Sequence, residues 1–187
     1  MLGRELQAQL GAMDEIAKIQ DEVLESVRRR DYDRALRLCN KIIAENPRLS
    51  DGFRERAFVH GHMGRMEDAI RDSTRAIELD QEEHDFEEPA DYFRRGYDHI
   101  AMGAYEEAIR DFSKVIDLCE KYSNRYYAEA AYQHRAYAHL RNGACRKAIE
   151  DCHRFEYALP VHIDKGLITR QDILDEAEAR LRHDPER

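Results

Sequence analysis

Three stretches of the chain decide how the rest is read: FRERAFVHGHMGRMEDAIRDSTRAIEL from Phe53, YFRRGYDHIAMGAYEEAIRDFSKVIDL from Tyr92, and YQHRAYAHLRNGACRKAIEDCHRFEYAL from Tyr132. Each places an arginine, a small residue, an aromatic and a histidine in one segment, then a glycine, then Ala-Ile-x-Asp in a second. An earlier copy ends in YDRALRLCNKIIAENP, whose Ala35 lies 34 residues before Ala69; the equivalent Ala108 and Ala148 follow after 39 and 40. A unit of 34 residues therefore recurs with insertions of five and six. In the third copy Ala108, Phe112, Val115, Ile116 and Leu118 form an apolar stripe at helical spacing, and Tyr92, Gly96, His99 and Gly103 recur at the same period. Small residues at the crossing let two helices approach closely. One hairpin then buries little, and its neighbours must cover the rest.

Composition agrees with a stack of thin layers. Leu, Ile, Val and Phe number 14, 13, 5 and 6, so the 187 residues hold only 38 large aliphatics and phenylalanines, while 37% are charged. The net charge of −9 is too small for a disordered polyelectrolyte, and the 22 alanines and 10 tyrosines must supply much of the packing. No apolar run exceeds three or four residues, against about 20 needed to span a bilayer, so a membrane span is not expected. Glu5 and its polar neighbours stand where a signal peptide would be apolar. Cys39, Cys119, Cys145 and Cys152 have neither CxxC spacing nor the density of a disulfide scaffold, so a reducing cytoplasm is the expected compartment. The acidic balance removes the long-range attraction on which nucleic-acid binding depends.

At these residues the chain resembles the tetratricopeptide repeat family. The resemblance covers about residues 16–160, as four units at 16–49, 50–83, 89–122 and 129–162 with insertions at 84–88 and 123–128. It implies an all-α, right-handed superhelical solenoid of helix-turn-helix repeats. The family's small first-helix residue is matched by Ala57, Gly96 and Ala136, its turn glycine by Gly64, Gly103 and Gly143, and its closing proline by Pro47 and Pro160. Thr169 and Asp172 read as a helix N-cap, and Ile173, Leu174, Ala177 and Leu181 as one apolar face, so residues 163–187 are expected to form a helix and tail on the last repeat. Residues 1–15 are read as a helical extension whose Leu2, Leu6, Leu10 and Met13 stripe either caps the stack or joins a second copy.

The recurring polar residues have structural explanations. His60, His99 and His139 share one place in successive units, but equivalent residues of stacked hairpins lie about 10 Å apart, whereas ligands of one zinc each lie about 2 Å from it. No metal and no cofactor is expected. Arg56, Arg95 and Arg135 recur beside the small residue, and Asp72, Asp111 and Asp151 three residues after the second-helix alanine, which predicts one structural ion pair per unit. No nucleotide-binding, nucleophile-elbow or zincin motif occurs, so no enzyme is expected.

The resemblance implies a concave groove lined by the first helices, where a protein or peptide partner lies. By register its columns contain Leu24, Phe58, Tyr97 and Tyr137; Arg54 and Phe93 one turn earlier; and Ile100 and Leu140 one turn later, followed by Arg141. Such an apolar and aromatic series points to a partner surface. The lysines and asparagines with which one subclass holds a chaperone's carboxy-terminal tail are missing, since Gln20, Leu24, Arg54 and Phe58 stand in their places and Arg94 alone matches. The insertions offer a second contact surface, acidic at Glu82, Glu83, Phe86, Glu87 and Glu88 and aromatic at Tyr126 and Tyr127. The expectation is therefore a non-catalytic adaptor, chaperone or inhibitor dedicated to one partner; the alternative is a self-associating protein, a homodimer through its N-terminal helix.

Overall fold

The computed structural model describes residues 2–83, 87–123, 127–155, 161–163 and 166–184, with side chains from Asp14 onward apart from those of residues 83, 161–163 and 166. The chain divides into two compact units, Met1–Asp85 and Phe86–Arg187. In the first, helices α1 (Leu2–Arg28), α2 (Tyr32–Glu45), α3 (Ser50–His62) and α4 (Met66–Glu83) form two antiparallel hairpins. In the second, α5 (Pro89–Ala101) pairs with α6 (Tyr105–Lys121) and α7 (Ala128–Arg141) with α8 (Cys145–Cys152); strands β1 (Val161–Ile163) and β2 (Gly166–Ile168) and helix α9 (Arg170–His183) follow. From Leu2 the N-terminal extension is helical and continuous with the first repeat helix, as the 27-residue α1.

Turn chemistry separates the paired helices. After α3, α5 and α7 the chain enters the left-handed region at Gly64 (φ 73°), Gly103 (73°) and Gly143 (82°). The next N–H reaches back to a carbonyl in the last turn, Arg65 to His60, Ala104 to His99 and Ala144 to His139, at 2.8–2.9 Å. This is the Schellman closure, for which glycine is the cheapest residue. After α1 the same closure is made with Arg30 at φ 59°, with Asp31 N–H bonding Ser26 carbonyl at 2.8 Å. Close approach explains a different glycine. A β-carbon on Gly96 would lie 3.0 Å from Phe112 and 3.2 Å from Asp111, so α5 sits closer to α6 than alanine would allow without adjustment.

In the first unit Ile19, Val23 and Val27 of α1 pack with Ala35, Cys39 and Ile42 of α2 and Val59 of α3. In the second, fully buried side chains include Phe112, Val115, Leu118, Leu140 and Ile173. The four cysteines are buried and unpaired, and burial pushes the thiols of Cys39 and Cys152 up to about 12 and about 11. Each of the last three hairpins carries a two-pronged ion pair between its helices. Arg56 Nε and Nη2 reach Asp72 at 2.8 and 2.7 Å, Arg95 reaches Asp111 at 2.9 and 2.6 Å, and Arg135 reaches Asp151 at 2.8 and 2.7 Å. The histidine one turn on comes to 3.6–3.9 Å from the same carboxylate. Burial lowers the pKa of all three histidines, that of His139 to about 4, so they sit there as neutral rings.

After α8, only eight residues long against 17 in α6, the chain leaves the repeat pattern. Strands β1 and β2 pair antiparallel, with Val161 opposite Ile168 and His162 opposite Leu167, a small hairpin that the repeat pattern did not announce. A capping box formed by Thr169 and Asp172 starts α9, which packs on α8 and α7; Ile173 and Ala177 are buried, and Arg180 donates to the carbonyl of Leu140 at 2.8 Å. Among the described residues no helix is long and apolar enough to cross a membrane.

Candidate functional site

The helix pair α5 and α7 of the second unit frames the site. On α5, Phe93 and Tyr97 are one turn apart and share a face, and Tyr127, the residue before α7, comes over the Phe93 ring at 5.6 Å between centroids. His134, in the second turn of α7, stands against Phe93 at 5.0 Å, Phe112 at 5.3 Å and Tyr97 at 6.1 Å. Its Nδ1 lies 2.7 Å from the carbonyl of Ala130, and burial among the rings depresses its pKa, so the group amid the cluster is uncharged at neutral pH. In front of the rings is an open cavity of about 280 Å³ lined by Ala90, Phe93, Arg94, Tyr97 and Tyr127. Tyr97 is among the most exposed large apolar side chains, at 37%.

Other expected groove residues take different places. Ile100, Tyr137 and Leu140 are 8%, 7% and 0% exposed, so they serve the core and do not line a groove; Leu140 lies where α9 meets α7. Arg141, exposed, lies over the Tyr105 ring at 5.9 Å, and its hydrogen bond to the Tyr105 hydroxyl oxygen raises its pKa. In the first unit Arg54 is engaged by Asp51 at 2.6 Å and Asp80 at 2.8 Å, Phe58 packs edge-on against His62 at 4.4 Å, and Leu24 is 37% exposed. The same columns therefore give a salt-bridged surface in one unit and an aromatic cavity in the other.

The insertions also separate. The Glu87 carboxylate accepts the Tyr92 hydroxyl at 2.5 Å and Lys114 Nζ at 2.8 Å, its N–H donates to the Tyr122 hydroxyl at 3.3 Å, and Glu88 caps α5 through the Ala90 N–H at 3.3 Å ahead of Pro89. Glu82 faces Arg75 at 3.5 Å and Arg48 at 3.7 Å. Glu82, Glu87 and Glu88 thus have partners within their own units. Phe86, Tyr126 and the side chain of Glu83 lie outside the described residues. Tyr127, expected on a second surface, belongs to the aromatic cavity. Repeat register could not place it, because residues 123–128 fall between units.

The histidines and carboxylates form no cluster of three or more fit to hold a metal among the described residues. The arrangement can bury an apolar side chain against a neutral aromatic wall beside one guanidinium. Solved structures with the same chain path are repeat proteins. One is the run of nearly identical repeats of a putative kinesin light chain from Podosopora anserina, with TM-score 0.66, 14% identity, and 92% of this chain and 88% of that one covered. Others are SycD, a type III secretion translocator chaperone of Yersinia enterocolitica (0.60, 14%, 70% and 88%), and the TPR2B domain of yeast Sti1 in its pHsp70 complex (0.58, 21%, 66% and 94%). The chain has the tetratricopeptide-repeat fold. Neither a family model nor a curated protein matches it. Within this tetratricopeptide-repeat fold, the first unit's second hairpin departs from the expected groove through the Arg54 ion pairs, while the helix expected on the last repeat is present as α9.

Proposed function

We propose that the chain is a non-catalytic protein-interaction module of the cytoplasm, whose second unit takes an apolar or aromatic side chain of a peptide partner into the cavity formed by Phe93, Tyr97 and Tyr127. The observation that carries this reading is the cavity itself. At about 280 Å³ it falls below the range of cofactor and small-molecule clefts and suits one anchoring side chain. Exposed aromatics around a preformed depression are the usual seat of interface energy. Solved neighbours support the class, since Sti1's domain is seen with pHsp70 and SycD is a chaperone. An adaptor, chaperone or inhibitor dedicated to one partner is the finer form of the same reading.

Selection of random displayed peptides on the full chain tests it. Peptides that bind the wild type are expected to lose at least about tenfold in affinity on Tyr97→Arg, whose site is already exposed, and to be unaffected by Leu167→Ser on the exposed β2 strand. Equal binding to wild type and Tyr97→Arg refutes the site.

A further inference from the structure

Tyr92 and Tyr132 hold the same place in the two hairpins of the second unit, 40 residues apart, and the scaffold around them matches. Each ring lies under the arginine of its hairpin's ion pair, Arg95 at 5.5 Å and Arg135 at 5.3 Å. Around Tyr92 the hairpin is closed. The Glu87 carboxylate accepts the Tyr92 hydroxyl of α5 at 2.5 Å and Lys114 Nζ of α6 at 2.8 Å, and the tyrosine is 5% exposed. The same register puts Tyr127 in the place of Glu87 and Arg154 in the place of Lys114. Tyr127 is turned onto Phe93 and brings no carboxylate. Helix α8 stops at Cys152, the equivalent of Phe112, whereas α6 continues to Lys121. There a cavity of about 570 Å³ opens between the end of α6 and the start of α7. Ile116, Cys119 and Tyr132 line its apolar side, the first two buried, and exposed Glu120, Glu129 and Arg154 stand at its rim.

That volume falls in the range of small-molecule clefts, roughly 300–1,000 Å³. The neighbouring hairpin shows what its polar groups hold. Among the described residues neither the Tyr132 hydroxyl nor the Arg154 guanidinium has a hydrogen-bond or ion-pair partner, while their equivalents share one carboxylate. Glu120 and Glu129 have no ion pair among those residues either. A plain acid would answer Arg154 but meet two carboxylates, and a plain amine would leave Arg154 and Tyr132 unanswered. A ligand that carries both charges on an apolar body satisfies the whole lining. We infer that this cavity takes a free α-amino acid with a large apolar side chain. Its carboxylate lies between Tyr132 and Arg154, as that of Glu87 lies between Tyr92 and Lys114; its ammonium group faces Glu120 and Glu129, and its side chain rests on Ile116 and Cys119. The site shares no lining residue with the Phe93 cavity.

Calorimetric titration of the full chain with leucine, methionine and phenylalanine tests the inference. At least one is expected to bind saturably. The same compound without its carboxylate, and the same compound without its ammonium group, should each bind at least about tenfold more weakly, the worth of one hydrogen bond to a charged group. Arg154→Gln, at an exposed site, should weaken the amino acid to a similar extent, and Tyr132→Phe, which keeps the ring, by about threefold or more. Glu120→Gln with Glu129→Gln should erase the preference for the amino acid over its deaminated acid. The inference is overturned if none of the three amino acids binds, if binding is unchanged in Arg154→Gln, or if either truncated compound binds as tightly as the amino acid. Arg154 does not line the Phe93 cavity, so each of these failures leaves the proposed peptide site standing. An unchanged melting curve for each variant keeps misfolding from imitating a loss of binding.

Discussion

Arg54 and Phe93 occupy equivalent positions of α3 and α5, and the surfaces they make have little in common. Arg54 is tied at both ends, to Asp51 in its own helix and to Asp80 in α4, so its side chain is spent within the first unit. Phe93 stacks with Phe112, Tyr127 and His134 and leaves a hollow in front of them. The hairpin scaffold beneath is the same in both, down to an arginine–aspartate pair of matching geometry. In this fold the helix crossings set the architecture, and one exposed column per helix is free to decide what the surface binds.

The largest effect is expected where the two units agree. Asp111 is 5% exposed and accepts both prongs of Arg95, so Asp111→Ala leaves a guanidinium half-buried without its counter-ion. A loss of about 3–5 kcal/mol is expected in chemical denaturation, as for other buried pairs stripped of one partner. Arg95→Ala should cost a similar amount, and Arg94→Ala, at the cavity edge, less than about 0.5 kcal/mol. Comparable losses for Arg94→Ala and Arg95→Ala would mean that the repeated pair is not part of the scaffold.

The second prediction concerns a place where the units differ inside the core. Asp98 stands where α3 and α7 have Val59 and Ala138; it is 4% exposed, and its Oδ2 has no hydrogen-bond partner among the described residues. Burial pushes its carboxyl up from 3.8 to about 7, with Arg94 pulling weakly the other way. A folded-state value above the unfolded one means the native state holds the proton more tightly, so this contribution is intact below pH about 4 and is lost as pH rises through about 7. His139 acts in the opposite direction. Its folded value near 4 makes the native state lose stability as pH falls from 6.5 toward 4. Asp98→Val should therefore raise stability at pH 8 by about 2–4 kcal/mol and flatten the neutral limb of the pH profile, leaving the acid limb in place. A neutral limb that persists in Asp98→Val would show that another group carries it.

Much of this was legible in the sequence because the repeat is carried by residues with a single physical task. The left-handed turn demands glycine, the close crossing a small residue, and the buried arginine an aspartate sixteen positions on. Each appears three times at the same phase. What escaped lies outside that phase. Tyr127 sits in an insertion with no counterpart in the other units, so only folding shows that its ring lies on Phe93. The periodicity of α7 marks Tyr137 and Leu140 as apolar without saying that they are buried in the unit and do not line a groove. Strands β1 and β2 are three residues each, too short for an alternating pattern to stand out.

Arg30 is the position where a scaffold rule is broken at modest cost, and it gives the smallest prediction. Three turns close on glycine and the first closes on arginine at φ 59°, yet the bonds Arg30 N–H to Val27 and Asp31 N–H to Ser26 are 2.9 and 2.8 Å, as short as those at the glycines. The hydrogen bonding is thus complete, and what remains is the steric strain of a β-carbon in the left-handed region, about 1–2 kcal/mol. Arg30→Gly removes that strain but adds chain entropy to the unfolded state, worth about 0.5–1 kcal/mol. A net gain of about 0.5–1 kcal/mol is expected. Gly103→Arg, the reciprocal change at φ 73° with no atom near an added β-carbon, should cost about the same amount. If Arg30→Gly destabilises the chain, then Arg30 holds the first turn through its side chain, and that turn owes its shape to something other than the rule that governs the other three.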